Sequence, residues 1–500
     1  MGIIRKQSLF STFFIYVGFA IGALNLLILG TKFLSQSQQG LTRVLLDIGL
    51  LFSSFCTLGS INIVYKFFPL YQKHLPEKEN DLHALSFLLT TLGLVIFLSI
   101  FTFFQPFILS KFTRRPGGEL LTEYFYLVYP LTITYTYFLL FESYAWVLKK
   151  TILSNFIKEI LFRVCTTILL VLYGLDLITI QTFFKLFGWI YLPAVLLLGY
   201  AVFSHPEVNF HFKLSFITKR FRKKIIQFGG FLFIGVLLNT LSKTFDVLVI
   251  TAKSSNGLAD ATLFLIPTFL ITVMDVPLRG VTSIAVPIIS EAWRNKDLPK
   301  ILQLYQKTSL NLLFGGLLLG GAVLLNMDNA VIFLGPDYAP IKTIAFILAA
   351  SKLIDLGLGL NGQILFLSKH WRLDFSTNMF LLALSIPLNF WLTSNYGING
   401  TAVATLISFF LYNTIRLAAI YYYFKIQPFT ANTYKLCLFA AALFVGVYQL
   451  PFMYSIYLDA FVRTGLFALV FIIGSYFLQL SSDINEVIHT VMNRLGFGKS

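Results

Sequence analysis

Residues 84–110 read ALSFLLTTLGLVIFLSIFTFFQPFILS, a run without a single Asp, Glu, Lys, Arg or His. A hydrocarbon layer of about 30 Å needs about 20 apolar helical residues per crossing. This stretch is therefore long enough to span a membrane. The same texture recurs on both sides of it. Spans are expected near 8–33, 41–68, 83–110, 120–148, 151–173, 178–203 and 225–252. They continue near 258–290, 300–325, 338–367, 371–394, 398–424, 431–450 and 455–479. The expected fold class is an all-α polytopic membrane protein with about fourteen transmembrane helices. No connection is long enough to fold as a soluble domain.

Composition supports this reading. Of the 500 residues, 57% are hydrophobic and 12% charged, and the mean hydropathy is +0.78. A soluble domain carries about 25% charged residues, so a water-soluble enzyme is excluded, and so is a disordered chain. The net charge of +16 has a simple source, because basic residues collect in cytoplasmic loops. With the N-terminus inside, twenty-one Lys and Arg fall on the inner side and five on the outer. Both termini are expected in the cytoplasm, and no nucleic-acid partner is expected. Cys56, Cys165 and Cys437 lie in apolar stretches and are expected as small core residues without a disulfide. Met1 to Lys6 is a short basic start running into an apolar span, expected as an uncleaved first helix.

The chain also repeats itself. Gly40-Leu41-Thr42 at the start of the second span has a counterpart in Gly257-Leu258-Ala259 at the start of the eighth. Tyr173-Gly174-Leu175 matches Tyr396-Gly397-Ile398. Six spans separate the matches, so both copies insert with one polarity, as parallel repeats do. The expected organisation is a six-helix lobe over 1–203, a basic cytoplasmic linker over 204–224 and a second six-helix lobe over 225–425. Two additional helices over 426–480 and an interfacial tail over 481–500 complete it. The linker alternates Phe210, Phe212, Phe216 and Phe221 with six basic residues, a composition suited to anionic headgroups.

Charges deep in a bilayer are costly and mark cavities or partners. Arg43–Asp47, Glu159–Arg163, Asp275–Arg279 and Asp459–Arg463 are spaced by four, while Lys243–Asp246 and Lys352–Asp355 are spaced by three. Both spacings place the two groups on one helix face. So many deep charges point to a water-filled cavity between the lobes. Pro130, Pro193, Pro267, Pro277, Pro287 and Pro387 interrupt spans, and bent helices are tolerated where freed backbone groups find partners or water. Tyr124, Tyr126, Tyr129, Tyr135, Tyr137 and Tyr144 crowd the fourth span, either to pack the core or to stack on sugars. No phosphate-cradling glycine loop, zinc-type cluster or nucleophile elbow is present. Neither an enzyme, a cofactor nor a metal site is expected.

Several motifs resemble the bacterial polysaccharide biosynthesis (Wzx-like) flippases. These are Met1-Gly2-Ile3-Ile4-Arg5-Lys6-Gln7-Ser8, Gly40-Leu41-Thr42-Arg43, Leu58-Gly59-Ser60, Phe67-Phe68-Pro69, Asp246 ahead of Asn256-Gly257, and Tyr396 to Ala402. Those flippases belong to the multidrug/oligosaccharidyl-lipid/polysaccharide exporter superfamily. The chain departs from the pattern at Asp260-Ala261, where the family often has a tyrosine. The resemblance implies two lobes that alternate access and carry a lipid-linked oligosaccharide, on a polyprenyl pyrophosphate, from the inner to the outer leaflet. It further implies a multi-pass protein of the bacterial cytoplasmic membrane, in contact with membrane lipids and acting as a monomer.

A pyrophosphate in a low-dielectric cavity needs compensating cations. On that implication Lys158, Arg163, Lys185, Lys243 and Arg279 are the candidate substrate-binding residues. Asp246, Asp275 and Asp355 are the candidates for coupling to H+ or Na+, because a carboxylate can titrate or ligate. A drug/cation antiporter of the same superfamily is the alternative, and it calls for a carboxylate-dominated cavity. A membrane-embedded glycosyltransferase or ligase is a third reading, opposed by the short outer loops. A lipid II flippase is a close variant of the first.

Overall fold

The computed structural model describes residues 2–481 together with 483, 485 and 486, and side chains from residue 13 onward except 77, 279 and 283. Among the described residues every regular element is helical. Ten helices are long and apolar enough to cross a membrane. They become twelve when two bent pairs are each taken as one span. Gln36–Cys56 with Ser60–His74 is bent by 48°, and Pro336–Gly357 with Asn361–Leu367 by 44°.

Two segments make up the difference from the fourteen expected. Residues 151–174 are helical throughout, but Lys158, Glu159 and Arg163 sit in their middle. Trp371–Phe424 is 54 residues long, roughly 80 Å at about 1.5 Å per residue and far beyond one crossing. It is broken at Gly397, where φ 60° and ψ −143° are open to glycine and closed to residues with a Cβ. The break lies between the two spans expected at 371–394 and 398–424.

Helix starts follow local chemistry. Ser35 and Gln38 form a reciprocal capping box ahead of Gln36–Cys56. Ser215 and Ser455 accept from backbone amides at the starts of Phe216–Lys253 and Ile456–Phe477. The outer faces are apolar. Phe103, Phe107, Leu196, Tyr200, Leu438, Phe461 and Phe477 are each more than three-fifths exposed, an arrangement that water would penalise and hydrocarbon would not. The chain is a multi-pass membrane protein.

It forms two compact units, residues 1–262 and 263–500. The first contains a core of Val64, Tyr71, Leu82, Phe138, Leu140 and Leu198 among others. The second contains one around Leu325, Leu436, Phe467 and Phe471. Helix Phe216–Lys253 belongs with the first unit, although the repeat placed it in the second lobe. Residues 204–215 are non-helical, whereas 216–224 already form the first turns of that helix. The Asp81 carboxylate anchors this junction, accepting from the Ser215 amide at 2.9 Å and the Thr218 hydroxyl at 2.7 Å. Cys56 is buried and Cys437 is exposed, so the latter is not the core residue expected; all three cysteines are free. Residues 487–500, most of the expected tail helix, lie outside the described residues.

Candidate functional site: charge clusters within the spans

In the first unit the helix over residues 151–174 carries two of the expected substrate residues. Arg163 Nη1 donates to the Glu159 carboxylate at 3.0 Å and to the Glu159 carbonyl at 2.6 Å. Lys158 donates to Glu142 at 3.0 Å, and the Glu142 carboxylate is almost fully buried. Between them the helix widens into a π segment, Ile157–Leu161. A second π segment, Leu24–Leu29, lies in the partner helix, and such segments concentrate at functional sites. Asn25 ties the pair together, donating to the Arg163 carbonyl at 2.7 Å and accepting from Thr167 at 2.7 Å. Gly18 lets the helices meet, for a Cβ there would stand 2.2 Å from Arg163 Nη1 and 2.4 Å from the Glu159 carbonyl oxygen. Arg43 pairs with buried Asp47 at 2.8 Å.

Lys185 and Lys243 differ from these. Both are exposed, on Ile180–Gly188 and Phe216–Lys253, and neither makes an ion pair among the described residues. Asp246, one turn on from Lys243, is half-buried and engaged. The side chain of Arg279 lies outside the described residues.

Besides Asp459–Arg463, closed within one helix at 2.6 Å, the second unit gathers charges across helices. Lys352 on Pro340–Gly357 reaches Asp275 at 2.5 Å and Asp355 at 3.2 Å. Asp275 closes a 3-10 turn, Thr272–Asp275, immediately before Pro277. The Asp275 carboxylate meets another helix, while the Arg279 side chain expected beside it lies outside the described residues. Asn413 donates to Asp355 at 3.3 Å, and Asn361 donates to Asn413 at 2.9 Å. Both asparagines are buried. The three charged side chains keep between a fifth and just over a quarter of their surface exposed. Beside them, buried Arg416 pairs with Asp374, donates from Nε to the Thr377 hydroxyl at 3.2 Å and lies 4.2 Å above the Tyr412 ring.

Structure thus brings Asp275 and Asp355 onto one ammonium and keeps Lys158 and Arg163 on one helix with separate partners. Glu142, Asn413, Asn361 and the Asp374–Arg416 pair were missed by sequence reasoning, since their partners lie on other helices. Asp374 and Arg416 lie on either side of the break at Gly397, and nothing in their spacing along the chain joins them. Among the tyrosines of 118–147, Tyr124 and Tyr144 are buried and Tyr135 packs on Tyr191 at 4.8 Å, so these three pack against protein. Asp260 has a local use: it accepts from the Ser254 hydroxyl and, at 3.2 Å, from the Asn256 amide. Among the described residues no group of three or more His, Cys, Asp or Glu side chains is arranged to hold a metal ion.

Over nearly its whole length the chain superposes on a lipid II flippase, MurJ, in an inward closed conformation. The TM-score is 0.68 at 13% identity, covering 96% of this chain and 99% of the other. The fold is that of the MOP-superfamily transporters. An inward-facing multidrug resistance MATE family transporter of that superfamily matches with a TM-score of 0.57 at 13% identity, over 83% of this chain and 94% of its own. An outward-facing structure of such a transporter gives 0.50 at 12% identity, over 84% and 96%. No family model matches the sequence, and no curated protein does so either.

Proposed function

We propose that this protein is a flippase for a lipid-linked oligosaccharide, a glycan on polyprenyl pyrophosphate. It carries its cargo from the inner to the outer leaflet of a bacterial cytoplasmic membrane, both termini inside, by alternating access. The observation that carries this reading is the balance of charge within the spans. In the first unit Asp47, Glu142 and Glu159 each have a basic partner. Lys185 and Lys243 have none among the described residues and remain exposed. An organic-cation antiporter would need a carboxylate to spare in the same region; an anion carrier needs cations to spare. A pyrophosphate is matched by charge-assisted hydrogen bonds from such groups. The likeness to a lipid II flippase supports this class of cargo.

Coupling is assigned to the second unit. Two carboxylates share the Lys352 ammonium, which leaves one negative charge for a monovalent cation, H+ or Na+. The cation binds where it biases three helix segments together, so its occupancy favours one conformation of the carrier. The test is flux of a labelled polyprenyl-pyrophosphate glycan in proteoliposomes containing the purified chain. Gradient-stimulated flux supports the reading. Absence of glycan flux alongside efflux of an organic cation would transfer the protein to the antiporters.

A further inference from the structure

One cavity lies apart from every group used above. It occupies about 620 Å³ at the end of helix Val276–Arg294, where the turn after Asn361–Leu367 and the end of Trp371–Phe424 meet it. Its apolar side consists of Trp293, Tyr423 and Phe424, and its rim of Arg294, Lys296 and Lys369. The indole of Trp293 is fixed by donating to the Ile364 carbonyl at 3.2 Å and by packing on Phe424 at 4.7 Å. Tyr423 is held from its other side by His370, 4.2 Å away. The three cations are exposed, and none makes an ion pair among the described residues. Basic residues near helix C-termini offset the helix dipole, but that requires neither a shared cavity nor an aromatic floor.

We propose that this cavity binds the phosphate headgroup of an anionic glycerophospholipid, with the start of its acyl chains on the aromatic floor. Basic pockets between transmembrane helices recognise lipid phosphates in this way. Tyrosine and tryptophan are suited to the depth at which headgroup meets chain. A free phosphate ion would use the rim alone and gain nothing from the apolar side, so the lipid is the better match to both halves of the lining.

The experiment uses the full chain purified in detergent, with native mass spectrometry to follow binding of dioleoylphosphatidylglycerol and dioleoylphosphatidylcholine. Wild type is expected to retain the anionic lipid in preference. Combining Arg294→Gln, Lys296→Gln and Lys369→Gln should weaken it on the order of 100-fold, about fivefold for each charge removed. Lys66→Gln, Lys73→Gln and Lys149→Gln together remove equal charge from exposed positions of the first unit outside the basic linker and should change binding by less than about fivefold. Lys369→Gln alone alters one exposed residue outside the helices. It keeps the test alive if the triple variant does not fold. Tyr423→Ala should weaken the lipid while leaving every charge in place. Equal binding by wild type and the rim variants overturns the proposal, as does an equal loss in the control triple. Displacement of the lipid by inorganic phosphate at matched concentration would show a phosphate-ion site and overturn the lipid assignment.

Discussion

The two units handle buried charge in different ways. In the first, Arg43–Asp47 and Glu159–Arg163 are closed within single helices, Glu142–Lys158 joins two, and Lys185 and Lys243 make no ion pair among the described residues. In the second, Asp459–Arg463 is likewise closed within one helix, but Asp275, Lys352 and Asp355 are shared between helices, and among the described residues two carboxylates there meet one ammonium. A pair within one helix survives movement of that helix, whereas a cluster across helices is sensitive to every relative shift. The first pattern is suited to holding cargo through a conformational cycle, and the second to sensing an ion and changing the helix arrangement.

The largest effect expected from this contrast is at Lys352. Lys352→Gln leaves two partly buried carboxylates facing each other without a cation. Removing one partner of a buried pair costs about 3–5 kcal/mol, so a thermal unfolding scan should show a large loss, with flux abolished. Adding Asp275→Asn and Asp355→Asn to that variant removes the stranded charges. Stability should return most of the way while flux stays absent. If stability does not recover, the carboxylates are not the source of the loss.

Next comes the cargo side. Lys185→Gln with Lys243→Gln should lower glycan flux by roughly 10- to 100-fold, as loss of charged hydrogen bonds does, with unchanged abundance in the membrane. Wild-type flux from the double variant would remove both lysines from the cargo path. Gly18→Val is a packing probe of the same unit. The added side chain meets Arg163 and the Glu159 carbonyl, and overpacking of this kind costs about 1–3 kcal/mol. A stable, fully active Gly18→Val protein would mean that the two π-containing helices need not meet there. Glu159→Gln should matter least. Arg163 keeps its bond to the Glu159 carbonyl, so a loss of about 1 kcal/mol and nearly normal flux are expected. A collapse as severe as that of Lys352→Gln would erase the distinction between the units.

Much of this was legible in the sequence for physical reasons. Long apolar runs announce spans because the bilayer sets their length. The pairs Arg43–Asp47, Glu159–Arg163, Lys352–Asp355 and Asp459–Arg463 follow from helical periodicity and are present at 2.8, 3.0, 3.2 and 2.6 Å. Glu142–Lys158, Lys352–Asp275 and Asp374–Arg416 were not legible, because they depend on how neighbouring helices are set in register. Asp275 shows the limit most clearly. Its spacing to Arg279 is helical in the sequence, but its carboxylate also meets Lys352 on another helix, a contact that no spacing along the chain announces. The cavity at Trp293 was equally hidden, since its basic residues read as ordinary loop charge until three helix ends met around it.

The most direct test of the account is glycan flux in proteoliposomes under an imposed proton or sodium gradient, comparing wild type with Asp275→Asn and Asp355→Asn. The account predicts that the gradient accelerates wild-type flux and that either substitution abolishes this acceleration while leaving slow, gradient-independent exchange. Gradient acceleration that persists undiminished in both variants would contradict it.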